Sequence, residues 1–414
     1  MNKLNNLITK IVEAIKSGDA VKKIRNIIEK KKKLFLIISI LIFIGFVIIL
    51  NQGNDTNYDY ISKPRSLATK AMARYDKIII AKGKKVANII RKLPSNKSYL
   101  GYLIKVNDTI DKDILLEIKK ALQEHSNTYH YSPIVLDFSC ATGLLEFGNS
   151  GAFKECNALY GIYLPESVTS INSYAFYGCK DLRYIKIPDS VTKIGDEAFF
   201  GCNEELIIDT TAINVSTVID NLSSGKYYIG VNGTINTKTI AEIKKALQKK
   251  DTSDISLDLS YTTDLTAIPE NAFRNCDCLI GLKIPDSVTS IGNYAFYDCD
   301  NLLYYSYDDA LYIGSEENPY IALVTAQNSN IASCEIKYGT RIIMNNAFYN
   351  CYYLKSVDIP YSIEIIGEAA FYSCNSLNTV KYHGNEDSWS EINIGKNNYK
   401  LINVPMFKYL GGPQ

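Results

Sequence analysis

The chain has 414 residues, 46% of them apolar and 21% charged, which suits folded domains and excludes wholesale disorder. Its 45 Lys and Arg nearly balance 44 Asp and Glu, so overall charge gives no ground for nucleic acid as a partner. Tyrosine is abundant at 31 while tryptophan occurs once, a bias that suits a contact surface and equally the residue usage of an AT-rich genome.

In chain order, residues 1–33 carry ten Lys or Arg against three Asp or Glu. Leu4, Ile8, Ile11, Ile15, Ile24 and Ile28 fall on one helical face. A basic amphipathic cytoplasmic segment is expected, lying on anionic lipid or packing on itself or a partner. Residues 34–50, LFLIISILIFIGFVIIL, hold no charge. At 1.5 Å per residue that run reaches roughly 26 Å, enough to cross a bilayer core. It is expected to be an uncleaved transmembrane signal anchor, because 33 residues precede it and no small-x-small cleavage site follows. Seven Lys or Arg in 19–33, against only Lys63 and Arg65 in 51–65, place the N-terminus in the cytoplasm and the bulk of the chain outside. Residues 51–98 read as a basic, partly helical juxtamembrane stalk.

Beyond it the chain repeats. Ala-Phe pairs recur every 23 residues at Phe153, Phe176 and Phe199, again at Phe273 and Phe296, and again at Phe348 and Phe371. Three residues after each stands a cysteine: Cys156, Cys179, Cys202, Cys276, Cys299, Cys351 and Cys374. The fullest unit runs from Leu182 through Ile185, Ile187, Pro188, Val191, Ile194 and Gly195 to Ala198-Phe199 and Cys202. Ile185 and Ile187 alternate on one side of a short strand that Pro188 ends, since proline donates no ladder hydrogen bond. Val191, Ile194, Ala198 and Phe199 return along the opposite wall. One coil buries none of this alone; stacked coils share a core. A longer duplication overlies the coils: IKKALQ at 118–123 recurs at 243–248, and IVLDFSCATGLLEF at 134–147 matches ISLDLSYTTDLTAI at 255–268. Each copy reads strand, helix, strand, and its helix is expected to cap a repeat block.

At these residues the chain resembles the BspA-like (Treponema pallidum-type) leucine-rich-repeat family of surface proteins, over roughly 130–410. Residues 310–324 resemble a two-stranded insertion of that family. Residues 382–409 resemble its C-terminal cap, with Trp389, Ile392 and Ile394 covering the last coil. The expected fold is an α/β solenoid of 23-residue leucine-rich repeats with a parallel sheet on one face, interrupted by strand–helix–strand modules, behind a transmembrane helix. Its expected parts are a first module with repeats (99–226), a second with repeats and insertion (227–383) and a cap (384–414).

The resemblance implies adhesion-type recognition of a protein or glycan, with membrane lipid met by 34–50 and by 1–33. The alternative is an envelope-organising scaffold. Neither enzyme chemistry nor a cofactor is expected: GxSxG, HExxH, P-loop and GxGxxG patterns are missing, and Cys276-x-Cys278 lacks the second pair a zinc site needs. Disulfides between neighbouring coils stay open, with Cys140, Cys278 and Cys334 outside the repeat position. His125 and His130 read as solvated residues at a helix end and loop. The outward strand positions are the candidate ligand-binding residues: Tyr163, Tyr184, Lys186, Lys283, Tyr304, Ser306, Ser356, Asp358, Thr379 and Lys381, beside Gly161 and Gly281.

Overall fold

The computed structural model describes residues 75–94, 101–128, 133–148, 151–250, 252–315 and 317–411. The expected amphipathic segment 1–33 and anchor 34–50 lie outside them. Among the described residues no helix is long and apolar enough to cross a membrane.

Nine strands form one parallel sheet. They are β1 (Tyr75–Ala81), β2 (Gly101–Val106), β3 (Ile134–Asp137), β5 (Leu159–Tyr163), β7 (Tyr184–Lys186), β9 (Leu206–Thr211), β10 (Gly225–Thr234), β11 (Ser253–Thr263) and β13 (Leu279–Lys283), in that spatial order. Register aligns one inward row across it: Ile79, Ile104, Leu136, Ile162, Ile185, Ile208, Ile229, Leu257 and Leu282. From Ile104 onward every member is buried. Opposite lie two-residue strands, among them β4 (Glu146–Phe147), β6 (Ser170–Ile171) and β8 (Lys193–Ile194), which bring Phe147, Ile171 and Ile194 into one row. β12 (Ala267–Ile268) and β14 (Ser290–Ile291) continue that wall. Between the walls, Phe147, Phe153, Phe176 and Phe199 stack at centroid distances of 5.4 to 6.1 Å. The recurrent glycine of the motif has a close-packing cause: a Cβ on Gly195, Gly292 or Gly367 would collide with the backbone nitrogen of Ser173, Glu270 or Asn345 in the preceding coil.

The insertion interrupts this order. β15 (Tyr305–Tyr307) and β16 (Ala310–Ile313) form an antiparallel hairpin, and β17 (Ala322–Ala326) adds antiparallel to β16. Its two-residue turn is Asp308-Asp309, both at positive φ, as the twist of a tight hairpin demands. Beyond it a second parallel sheet starts, β18 (Ser333–Glu335), β20 (Ser356–Ile359), β22 (Thr379–Tyr382) and β24 (Met406–Tyr409), while β17 leads the opposite wall through β19 (Ile342–Ile343), β21 (Ile365–Ile366) and β23 (Asn393–Ile394). At the C-terminal end Trp389 meets Tyr382 and Phe407 edge-on at 5.1 and 4.7 Å, and Ile392 is buried with them.

Four helices belong to the modules: α1 (Gly83–Lys92), α2 (Lys112–Thr128), α3 (Val215–Asp220) and α4 (Thr237–Leu247). Here the structure corrects two expectations. Residues 75–92 are not stalk: β1 pairs with β2, and α1 buries Val86, Ala87 and Ile90 against α2. The duplicated unit is therefore longer, running β1–α1–β2–α2–β3 and again β9–α3–β10–α4–β11. His125 is not a surface residue either. α2 continues to Thr128, so His125 extends the buried stripe of Ile118, Ala121 and Leu122, and burial pushes its pKa down.

All ten cysteines are free, and Cys140 alone is exposed. The repeat thiols donate to the preceding coil: Cys179 to the Phe153 carbonyl at 2.8 Å, Cys202 to Phe176 at 3.1 Å, Cys299 to Phe273 at 2.8 Å and Cys374 to Phe348 at 3.1 Å. Each thiol thus serves as a small donor inside the coil stack, adding a second bond to carbonyls such as Phe153 and Phe176, which already accept from the backbone N–H of Cys156 and Cys179. A thiol reagent is expected to titrate Cys140 at once and the other nine only on unfolding. Several fast-reacting thiols in the native protein would contradict this.

Candidate recognition surface

Each coil turns its corner at the Ala-Phe-x-x-Cys segment, between two residues of left-handed backbone. Before the Ala these are Gly151, Tyr174, Glu197, Asn271, Tyr294, Asn346 and Ala369. Two residues after the Phe they are Glu155, Gly178, Gly201, Asn275, Asp298, Asn350 and Ser373. All fourteen have φ between 53° and 71°. Gly and Asn take this conformation readily, whereas tyrosine is strained in it. The corner sends Ala, Phe and Cys toward the core and turns the residue after Phe outward, exposed at Phe200, Arg274, Tyr297 and Tyr349 and half-buried at Lys154, Tyr177 and Tyr372. Backbone bonds lock the outcome in register, since Glu155 N–H donates to the Tyr177 carbonyl, Gly178 N–H to Phe200 and Asn350 N–H to Tyr372.

The residues thrown outward are Lys154, Tyr177, Phe200, Arg274, Tyr297, Tyr349 and Tyr372. They form a ridge in three stretches. Tyr177 stacks on Phe200 at 5.4 Å, with Lys154 Nζ 4.7 Å over its ring. Arg274 lies 5.0 Å over Tyr297. Tyr349 and Tyr372 stack at 5.3 Å within 9° of parallel, and Tyr372 meets Tyr399 edge-on at 6.1 Å. Tyr174 and Tyr294 flank the first two stretches, each beside a ridge tyrosine. Tyr352 and Tyr353 widen the third, 48% and 60% exposed. Pairs of this kind contribute about 0.5–1.5 kcal/mol each and hold the rings rigid. The loops of the third stretch, 346–353 and 369–376, contain no charged residue. Rigid Tyr with Asn and Ser around it is the composition of surfaces that bind proteins with many adaptable contacts.

The duplicated helices support this ridge directly. The first coil of a block has no coil before it to satisfy its corner carbonyls. Lys119 Nζ donates to Gly151 O at 2.8 Å and Gln123 Nε2 to Lys154 O at 3.1 Å. In the second copy Lys244 donates to Asn271 O at 2.8 Å and Gln248 to Arg274 O at 2.9 Å. The first lysine and the glutamine of IKKALQ are therefore clamps on the first ridge loop, while Lys120 pairs with Glu117 of its own helix. Lys119→Met is expected to lower stability by about 1–3 kcal/mol, read by urea unfolding, because it strands a half-buried carbonyl. No change would mean the loop holds without the clamp. Tyr174→Asn should act oppositely. It relieves left-handed strain of about 1–2 kcal/mol and gives up the Tyr177 ring contact of about 0.5–1.5 kcal/mol, so a net gain of about 0.5 kcal/mol is expected in the same assay, whereas a clear loss would mean the ring contact outweighs the strain.

The strand face is a different surface. Its outward row runs Lys105, Asp137, Tyr163, Lys186, Asp209, Gly230, Asp258 and Lys283. Tyr184 and Lys283, expected to be open, are nearly inaccessible. The Tyr184 hydroxyl donates to Asp209 Oδ2 at 3.1 Å, and Lys283 lies in register beside buried Asp258. Tyr304 packs against the core because the chain leaves the parallel ladder there to enter the hairpin. Lys186 and Ser306 are exposed. Ser356, Asp358, Thr379 and Lys381 share the second sheet, half-exposed, with Lys381 Nζ 3.1 Å from Asp358. Repeat register pointed to these strand positions; the ridge was missed, although tyrosines directly after Phe176, Phe296, Phe348 and Phe371 were its signal. Beside Tyr177 lies an open polar groove of about 530 Å³, lined by Gln123, Asn127, Glu155, Asn157 and Lys180 among others.

Short parallel strands, left-handed corners and a Phe/Cys interior repeated at 23 residues define a leucine-rich-repeat solenoid. Residues 147–228, 235–317 and 321–406 match the family model described as a BspA type leucine rich repeat region, in six copies, and the chain belongs to that family. Among solved structures it is similar to a leucine-rich cell surface protein from Faecalibacterium prausnitzii A2-165, at 23% identity over 76% of this chain and 86% of that one, TM-score 0.20. It is similar also to a leucine-rich repeat protein from Bacteroides ovatus, at 17% identity over 74% and 66%, TM-score 0.21. The Pneumococcal vaccine antigen PcpA is a further neighbour, at 18% identity over 65% and 63%, TM-score 0.18. No curated protein matches.

Proposed function

We propose that the solenoid is a non-catalytic recognition module held at the cell membrane by residues 34–50, and that it binds a protein partner through the aromatic ridge. The observation that carries this is the seven-position row after Phe, where side chains that could be anything are two cations and five aromatics. The partner is a protein rather than a glycan for a geometric reason. Stacking takes up one face of each of Tyr177, Phe200, Tyr349 and Tyr372, so the ridge offers edges and hydroxyls more than the open paired faces that sugar rings pack on. Membership of the BspA-type family supports a surface role, and the apolar, lysine-preceded run 34–50 supports the anchor.

The test displays the full chain on cells and measures adherence to surfaces coated with matrix proteins or with glycans. Saturable adherence to a protein surface, lost in a Tyr349→Ser/Tyr353→Ser/Tyr372→Ser variant that still reaches the surface, is the expected result. Adherence to glycans alone, or adherence that survives the triple change, would refute the ridge.

A further inference from the structure

We propose that the terminal coil, β1 with α1, is a docking face for an anionic lipid bilayer, seating the N-terminal end of the solenoid on the membrane. The inference rests on the reading of residues 34–50 as an anchor, and it adds a second contact to that anchor. α1 and its N-cap carry Lys82, Lys84, Lys85, Arg91 and Lys92, and β1 adds Lys77, while Asp76 is the one acidic residue in 75–94. Arg91 is paired, 2.6 Å from Glu124 and 3.3 Å from Glu117 of α2. The five lysines are exposed, and among the described residues no carboxylate pairs with them. Glu117 and Glu124, the acids that reach α1, are taken up by Arg91, while Asp108 accepts locally from Thr109 N–H at 2.9 Å and Asp111 from Ile114 N–H at 2.8 Å. The strand of the same coil also exposes Ile78 and Ile80, at 60% and 72%. Clustered, unpaired lysine is the chemistry that meets anionic lipid headgroups, and the two isoleucines, on the strand face opposite Ile79, add aliphatic carbon to the same coil.

Chain length completes the argument. Residues 51–74 separate the apolar run from β1, a tether that spans at most about 80 Å fully extended. A tether of this length keeps the lysines at high effective concentration over the bilayer, so a contact too weak for a free protein suffices.

Cys140 supplies the probe. It is the one exposed thiol and follows β3, two strands from β1, about 10 Å away. The full chain, dye-labelled at Cys140, is reconstituted into vesicles bearing an acceptor lipid. Energy transfer is expected to be higher with about 40% phosphatidylglycerol than in pure phosphatidylcholine, where the negative surface potential is missing. The excess should vanish in about 0.5 M NaCl, where screening falls to a few ångströms. It should vanish also in Lys77→Gln/Lys82→Gln/Lys84→Gln/Lys85→Gln, a variant whose melting curve must match that of the wild type. Equal transfer in both lipids overturns the proposal. Failure of the chain to co-float with vesicles refutes the anchor instead, and docking is then decided by adding the same labelled chain to preformed vesicles. Flotation with the anionic vesicles alone, weakened on the order of a thousandfold by the four substitutions, supports it, and no flotation refutes it.

Discussion

Raising the pH from 8 to 10 is expected to unfold the solenoid, because its eight buried thiols and the half-buried Cys202 oppose ionisation. Burial pushes Cys179, Cys276 and Cys374 up to about 12 and Cys278 and Cys351 up to about 11, and it raises Cys156, Cys202, Cys299 and Cys334 as well. In the unfolded chain a thiol ionises near 8.5. A folded-state value above the unfolded one means stability is complete below pH 8.5 and is lost as pH climbs toward the folded value. Over that window each thiol removes about 1.4 kcal/mol per pH unit. Nine together remove on the order of 10 kcal/mol by pH 9.5–10, comparable to the whole stability of an ordinary domain. Circular dichroism melts at half-unit steps would read this as a Tm that falls steeply from about pH 8.5. A Tm level to pH 10.5 would mean the thiols are bridged or solvated, and the stacked interior would be wrong.

The second large effect is Phe176→Ala. Phe176 is fully buried and stacks on Phe147, Phe153 and Phe199, so it touches rings on both sides of its own coil. Truncation removes that apolar area and leaves a cavity that backbone-locked neighbours cannot close, a loss of about 3–5 kcal/mol in urea unfolding. In a solenoid the coupling runs from coil to coil, so the damage should also loosen adjacent corners and quicken the reaction of Cys179 and Cys202 with thiol reagents. A loss below about 1 kcal/mol would mean that the phenylalanines do not share one interior.

Much of this architecture was legible because its physics is periodic. Spacing of Ala-Phe and Cys gave the coils, Pro188 the strand ends and the IKKALQ pair the module helices. What stayed hidden was aperiodic or faced the wrong way. β1 and α1 carry no motif that repeats in the other copy, and their lysines made a solenoid coil read as a stalk. Alternation along a strand marks which side chains point outward without saying which are covered, so Tyr184 and Lys283 were chosen although nearly inaccessible. The corner residues escaped for a backbone reason. The side chain after Phe points outward because two left-handed residues bracket it, and hydrophobic pattern alone does not reveal the sign of φ.

Hydroxyl-radical footprinting of cells displaying the full chain, free and then adhered to the surface they bind, tests the ridge most directly. Tyr297, Tyr349, Tyr353 and Tyr372 are expected to react in free cells and to be protected on adherence, while Lys186 and Lys381 peptides keep their reactivity. Protection confined to the strand face, with the ridge tyrosines reacting alike in both states, would contradict it.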